Sequence, residues 1–264
     1  MTFLSRLERF GSVGSTNDVV AGWFAEGQPE VAVAVADTQT AGRGRGGRSW
    51  VAPPGAALLL SAGFRPVDLP PAFSWRLAGV VALAMAGAAE SVAGLPPGAV
   101  GLKWPNDLVA DASDGSLRKL GGLLTEAASE GDRLVSAVVG IGVDVDWPAS
   151  AFPAELGGSM TSLRELAGDA VDREALLHAF LARLEPAYTG LRRGGFDADS
   201  WLARQWTTGR ELRVETSGRT VEGRGAGVDP ERGTLLVATA TGTVEVASGE
   251  VVACRIRGAV AARV

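Results

Sequence analysis

The 264-residue chain has one cysteine, one histidine, one tyrosine, two lysines and two asparagines. A single cysteine excludes a disulfide framework. No apolar stretch of signal-peptide type opens the chain: Met1–Phe10 carries Arg6, Glu8 and Arg9, so no secretory signal is expected. The longest apolar run, Leu77–Ala89, is shorter than the ~20 residues that span a bilayer, so no membrane partner is expected. An excess of positive charge is also missing. The net charge is −5, which argues against nucleic acid bound over a broad surface. With 46% hydrophobic residues the chain is not disordered throughout, and its length suits one large domain with a small appendage. A soluble, cytoplasmic protein is the expectation.

Lysine and arginine together number 25, yet only Lys103 and Lys119 are lysines. On a solvated surface the two residue types exchange freely. Where a compact ammonium is needed, the broad guanidinium fork cannot replace it. The surviving lysines and the two asparagines, Asn17 and Asn106, are therefore candidates for chemistry. Lys103 and Asn106 lie three apart in one segment.

Periodicity predicts a helix after Ser15, capped by Ser15 with Asp18 and closed by Gly27. Strands are expected at Val31–Asp37 and Ala56–Phe64, separated by a Gly/Arg loop, and a long apolar helix at Ser74–Ala93. Val100–Val109, Lys119–Glu126 and Val135–Asp146 read as further strands. Asp172–Arg193 and Asp197–Thr207 read as helices. From Gly209 the texture changes to short alternating segments between Gly-containing turns, the pattern of a small β-barrel. The expected division is 1–208 and 209–264.

The loop Gly42-Arg43-Gly44-Arg45-Gly46-Gly47-Arg48-Ser49-Trp50 superficially fits a dinucleotide fingerprint and a P-loop. Both motifs must open a helix so that aligned N–H groups meet the phosphates. Here Pro53-Pro54-Gly55 follows, and both motifs are rejected. An Arg-Gly RNA-binding segment would be longer. Two readings remain. The segment is a solvated hairpin connection, or a mobile cationic loop that folds over an anion with Trp50 capping the site.

Four ordered motifs carry a resemblance: Ser15-Thr16-Asn17; Gln39-Thr40-Ala41 running into Gly42–Trp50; Lys103-Trp104-Pro105-Asn106-Asp107; and Arg118-Lys119-Leu120-Gly121-Gly122-Leu123-Leu124-Thr125-Glu126. Gly140-Ile141-Gly142-Val143 is a weaker fifth. Together they resemble the biotin–protein ligases, in the short class without an N-terminal DNA-binding domain. The resemblance implies an α+β fold: a mixed sheet packed with helices, like a class II aminoacyl-tRNA synthetase catalytic domain, plus a small C-terminal SH3-like β-barrel. It also implies an ATP-dependent, AMP-forming ligase that makes biotinyl-5′-AMP with Mg²⁺. The biotin then passes to a lysine of a biotin carboxyl carrier protein.

On the same resemblance, biotin would be met by Ser15, Thr16, Asn17, Gln39, Gly42, Arg43, Arg45, Lys119, Gly121 and Gly122. The nucleotide would be met by Arg43, Arg45, Arg48, Trp50, Lys103, Asn106 and Lys119. Lys119, Arg45 and Lys103 would be catalytic, and Asn106 and Asp107 would lie at the metal. His178 and Cys254 have no expected role beyond solvent and core. Asp144 departs from the family pattern, which has asparagine there. A lipoate or octanoate ligase of the same fold is the alternative activity. The fourteen residues before Ser15 are too few for a helix-turn-helix, so direct DNA reading is not expected.

Overall fold

Helices cover both faces of a seven-stranded sheet, which explains why its central strands are apolar almost without interruption. The computed structural model describes residues 3–112 and 115–255. In chain order the elements of this part are β1 (Arg6–Val13), α1 (Thr16–Ala25), β2 (Ala32–Gln39), β3 (Ala57–Phe64), α2 (Trp75–Val92), β4 (Gly101–Lys103), β5 (Asp107–Asp111), β6 (Leu117–Glu130), β7 (Arg133–Asp144), α3 (Leu163–Ala167), α4 (Arg173–Arg192) and α5 (Ala198–Ala203). The strand order is β1-β2-β3-β7-β6-β5-β4. Only β1 and β2 run parallel and the other pairs are antiparallel, so the sheet is mixed.

One face carries Val33, Val35, Leu58 and Leu60 and is covered by α2 and α4 through Leu77, Val81, Met85, Leu177 and Phe180. Each such fully buried side chain contributes roughly 1.5–3 kcal/mol. The other face has small residues, Ala32 and Ala34, that let Val20, Trp23 and Phe24 of α1 approach. Together with its entry turn, α2 (Pro71–Val92) has the length and apolarity of a bilayer span, which the count of consecutive apolar residues did not anticipate. Its apolar side is spent on the core.

Several expectations need correction. β1 was not foreseen, since its sequence Arg-Leu-Glu-Arg-Phe is charged, as suits an edge strand. Ser15 precedes α1, but its side chain makes no cap bond. The carboxamide of Gln39 instead meets the first N–H of the helix, accepting from Thr16 at 2.8 Å. The segment 100–109 is not one strand but a hairpin, β4 and β5, turned at Trp104-Pro105-Asn106. Pro105 has no N–H to continue a ladder. The second late helix is only α5, because 204–206 turn back to pair with β4: Leu102 N–H donates to Arg204 O, and Trp206 N–H to Leu102 O. A buried Glu90–Arg204 ion pair at 2.6 Å holds that return in place.

The C-terminal strands are β8 (Glu211–Glu215), β9 (Thr220–Val228), β10 (Leu235–Thr239), β11 (Gly242–Val246) and β12 (Glu250–Arg255). They form an antiparallel sheet ordered β11-β10-β9-β8-β12. Among the described residues no pairing joins β11 to β12, so the expected closed barrel is not found. Cys254 lies in β12, and burial pushes its thiol up to about 11, an inert thiol. His178 is exposed on α4.

Candidate active site

The two lysines and two asparagines all line one cleft of 120 Å³. Its floor is the Gly140–Gly142 stretch of β7 with Gly122 of β6, its back is the N-terminus of α1, and its roof is the Gly/Arg loop. The β4–β5 turn closes one side, and Glu250 and Val251 of β12 complete the rim.

At the centre stands a carboxylate between two ammonium groups. Lys119 Nζ is 2.7 Å from Asp107 Oδ1, and Lys103 Nζ is 3.2 Å from Asp107 Oδ2. The pairing of β5 with β6 slips between Leu108 and Val109, a bulge beside Lys119 of the kind that re-aims a side chain. Arg45 reaches over the same place. Burial lowers its affinity for the proton while Asp107 opposes that effect, and its Nη1 donates to Gly249 O at 3.2 Å. Lys103, Lys119 and Arg45 against Asp107 leave an excess of positive charge facing the cleft. An incoming anion is attracted there by groups already in place, which need no reorganisation.

Trp50 lies flat across the floor. A Cβ at Gly142 would come within 2.5 Å of its ring and one at Gly122 within 3.3 Å, so the two glycines provide its seat. The ammonium of Lys119 is 5.4 Å from a Trp50 ring centroid, within cation–π range.

Other expected contacts are used differently. Gln39 Oε1 is occupied by Thr16, which leaves its N–H₂ for the cleft. The Asn17 amide is engaged at both ends: Oδ1 accepts from Ser61 at 2.6 Å and Nδ2 donates to Glu126 at 2.7 Å. Arg43 turns its guanidinium to Asp18 and Glu126 and is not free to hold a phosphate. Arg48 pairs with Glu250. Gly42 and Gly121 do not line the cleft. Gly42 admits the close pass of Trp50 O, 2.5 Å from where a Cβ would sit, and Gly121 the pass of Gly142 O at 2.6 Å. The loop, expected to be mobile, is thus tied to α1, β6 and β12. Sequence reasoning missed Glu250, Val251, Asp18 and Glu126. Asp18 and Glu126 stood inside sequence motifs but carried no site role there, Glu250 and Val251 have no local signature, and the floor was flagged by Gly122 and the weak Gly140-x-Gly142 element.

The expected metal position is not supported by the donors present. Each oxygen of Asp107 already meets an ammonium, and the Asn106 N–H₂ donates to Leu123 O at 2.6 Å. Among the described residues no three His, Cys, Asp or Glu side chains converge. With Asp107 shared between two ammonium groups, Asn106 and Asp107 alone are no cage for a divalent ion.

Asp144, at the end of β7, is 4% exposed. Burial pushes its carboxyl up to about 7, with Lys119 pulling the other way. Between the ordinary value of about 3.9 and this one, the folded protein keeps a proton that the unfolded chain has lost. Its contribution to stability is therefore full below the ordinary value and is lost as pH rises through about 7. Asp144→Asn should raise Tm by several degrees at pH 8 and little at pH 4, about 2–4 °C for each kcal/mol. Thermal melts across pH check this, and an equal gain at both pH values would contradict it.

Residues 10–144 match the Biotin/lipoate A/B protein ligase family, and residues 207–253 match the Biotin protein ligase C terminal domain. The chain is 33% identical over 225 residues to the bifunctional ligase/repressor BirA of Bacillus spizizenii, covering 84% of this chain but 66% of that protein. It thus spans just under two thirds of that relative's length. With the biotin–[acetyl-CoA-carboxylase] ligase of Mycobacterium tuberculosis it is 34% identical over 254 residues, 95% of this chain and 90% of the relative. The biotin protein ligase of Aquifex aeolicus, solved in complex with biotin and ATP, superposes with a TM-score of 0.76 at 28% identity, covering 93% and 97% of the two chains.

Proposed function

The chain belongs to the biotin/lipoate A/B protein ligase family, and from that premise we propose that it joins biotin to a carrier-protein lysine through biotinyl-5′-AMP. The observation that carries this reading is the Lys103–Asp107–Lys119 cluster beneath the Gly/Arg loop. In the first step the biotin carboxylate attacks the α-phosphorus of ATP and pyrophosphate leaves. Two anions must meet, and charge builds on the phosphoryl oxygens and the leaving group. Lys119 is placed to bridge carboxylate and phosphate, with Lys103 and Arg45 on the departing side. In the second step the acceptor amine attacks the acyl carbon, loses its proton and releases AMP. Ser15, Thr16 and the free N–H₂ of Gln39 are the polar groups offered to the ureido ring. Trp50, seated on the floor, lies against the adenylate. Excluding water by the loop also protects the mixed anhydride from hydrolysis.

Magnesium is assigned to the ATP phosphates as their counter-ion, since the protein offers it no cage. The C-terminal sheet is read as the SH3-like domain of the family, with the boundary at 208/209. The family match that starts at residue 207 supports that placement. Its contribution here is to the roof: Gly249 O receives Arg45 and Glu250 pairs with Arg48. The acceptor is a biotin carboxyl carrier protein, and the place of action is the cytoplasm.

The relatives named for biotin support this ligand over lipoate or octanoate. Biotin-dependent exchange of pyrophosphate into ATP tests the choice. Exchange is expected with biotin and not with lipoate or octanoate, and the reverse result would replace the reading by the alternative. Arg45→Gly removes the half-buried cation and its hold on Gly249 O. Biotinyl-5′-AMP should then escape, so biotin on bystander lysines rises several-fold by streptavidin blot. Unchanged bystander labelling would remove Arg45 from intermediate retention.

A further inference from the structure

Arg43 and Asn17 were both expected to touch ligand, yet their polar atoms are spent on the protein itself. The Arg43 fork grips Asp18 with both terminal nitrogens, Nη1 to Oδ2 at 2.9 Å and Nη2 to Oδ1 at 2.7 Å. The same Nη2 reaches Glu126 at 3.1 and 3.2 Å. Glu126 Oε2 also accepts from Asn17 Nδ2 at 2.7 Å, and Asn17 Oδ1 accepts from Ser61 in the strand floor at 2.6 Å. A continuous chain of bonds therefore runs from the loop, through the Glu126 carboxylate, to the buried Asn17 side chain in the cleft wall, with Asp18 as a second anchor on Arg43.

We propose that Glu126 and Asp18 are positioning residues for the retention of biotin and its adenylate: by holding Arg43 they latch the entry of the Gly/Arg loop to α1 and β6. The inference rests on the ligase reading above and adds two residues that touch neither substrate. The geometry is specific, since paired guanidinium–carboxylate bonds fix orientation as well as distance. Arg43 joins the loop immediately after Gly42, whose carbonyl is tied by Trp50 N–H at 2.9 Å. Turning Arg43 toward Asp18 and Glu126 therefore sets where Gly44 and Arg45 begin. The opposite end of the loop is held separately, by Arg48 on Glu250. A loop pinned at both ends presents the half-buried Arg45 to the cleft without having to search for it.

Exposure bounds the size of the effect. Arg43, Asp18 and Glu126 are 38%, 60% and 44% exposed, and pairs of this kind are individually weak and screened by salt. The expectation is a change in how long the loop stays closed, with the fold unaffected.

The test is the rate at which preformed biotinyl-5′-AMP leaves the full-length enzyme, read with the KM for biotin and kcat in pyrophosphate exchange. Glu126→Gln and Asp18→Asn should each speed release about three- to tenfold and raise KM by a similar factor, with kcat within about twofold of the parent. Arg43→Lys keeps the charge but loses the fork, and should release as fast as Glu126→Gln. Added salt should speed release from the parent enzyme more than from the doubly substituted one. Glu130→Gln, on the same strand but outside the latch, is the control. If Glu126→Gln and Asp18→Asn retain the intermediate like the parent, the latch is wrong. It is equally wrong if they lower kcat in step with Tm, since that is loss of fold. If the parent enzyme makes no adenylate from biotin and ATP, the ligase reading fails first and takes this proposal with it.

Discussion

Lys119→Arg should lose adenylation by about a hundredfold or more while melting at the same temperature as the parent. The ammonium sits 2.7 Å from one oxygen of Asp107, whose other oxygen is taken by Lys103. It also lies 3.2 Å from where a Cβ of Gly122 would be, beside the face of Trp50. That space fits a compact point charge. A guanidinium is planar and wider, and its fork would seek both Asp107 oxygens, displacing Lys103 and tilting Trp50. Formal charge is conserved, but the position where charge is needed in the transition state is lost. Removing one preorganised donor of this type costs about 10²–10³ in kcat. The Lys119 side chain is 37% exposed, so the fold does not depend on it. Pyrophosphate exchange measures the loss and a thermal melt checks integrity. Near-parent exchange would remove Lys119 from the chemistry.

Gly142→Ala should be nearly as damaging, for a steric reason. A Cβ there would stand 2.5–2.6 Å from three atoms of the Trp50 indole. The strand cannot give way, because Gly142 is paired on both sides, with Leu59 of β3 and Gly122 of β6. Trp50 must therefore leave its seat, and the loop that ends in it must move as well. The KM for ATP and the release rate of the adenylate should both rise tenfold or more, and the Trp50 emission should shift toward that of a solvated indole. Gly158→Ala is the control, since nothing lies within 4 Å of its added Cβ. If Gly142→Ala holds adenylate as tightly as the parent, Trp50 does not lie against the nucleotide as proposed.

These two substitutions differ in how far the sequence announces them. Lys119 is conspicuous because lysine is scarce, and scarcity needs no neighbours to be seen. Gly142 is one glycine among 36, and its importance arises only when Trp50 arrives from another part of the chain. The apolar runs of β2, β3 and α2 were legible, because a buried strand or helix must be apolar wherever its partner lies. β1 was not, since an edge strand tolerates the charges that its sequence shows. The break between β4 and β5 was hidden because both halves carry β-forming residues, and only Pro105 hints at the turn. A capping role for Ser15 followed from local pattern and is not found; the helix end is instead met by Gln39 from a distant strand, which accepts from Thr16 N–H.

From the sequence by itself come the α+β layers, the change of texture after residue 208 and the short set of polar side chains reserved for chemistry. Periodicity and residue scarcity are properties of the chain in one dimension. Tertiary structure alone decided how that set is divided between ligand and scaffold. Arg43 and Asn17 spend their polar atoms on carboxylates and a hydroxyl of the protein itself, while Lys103, Lys119 and Arg45 present theirs to the cleft. Arg45 meets a carbonyl 204 residues away, and Arg43 a carboxylate 83 residues away. A guanidinium binds whichever acceptor folding brings within reach, and nothing in its immediate sequence says which one that will be.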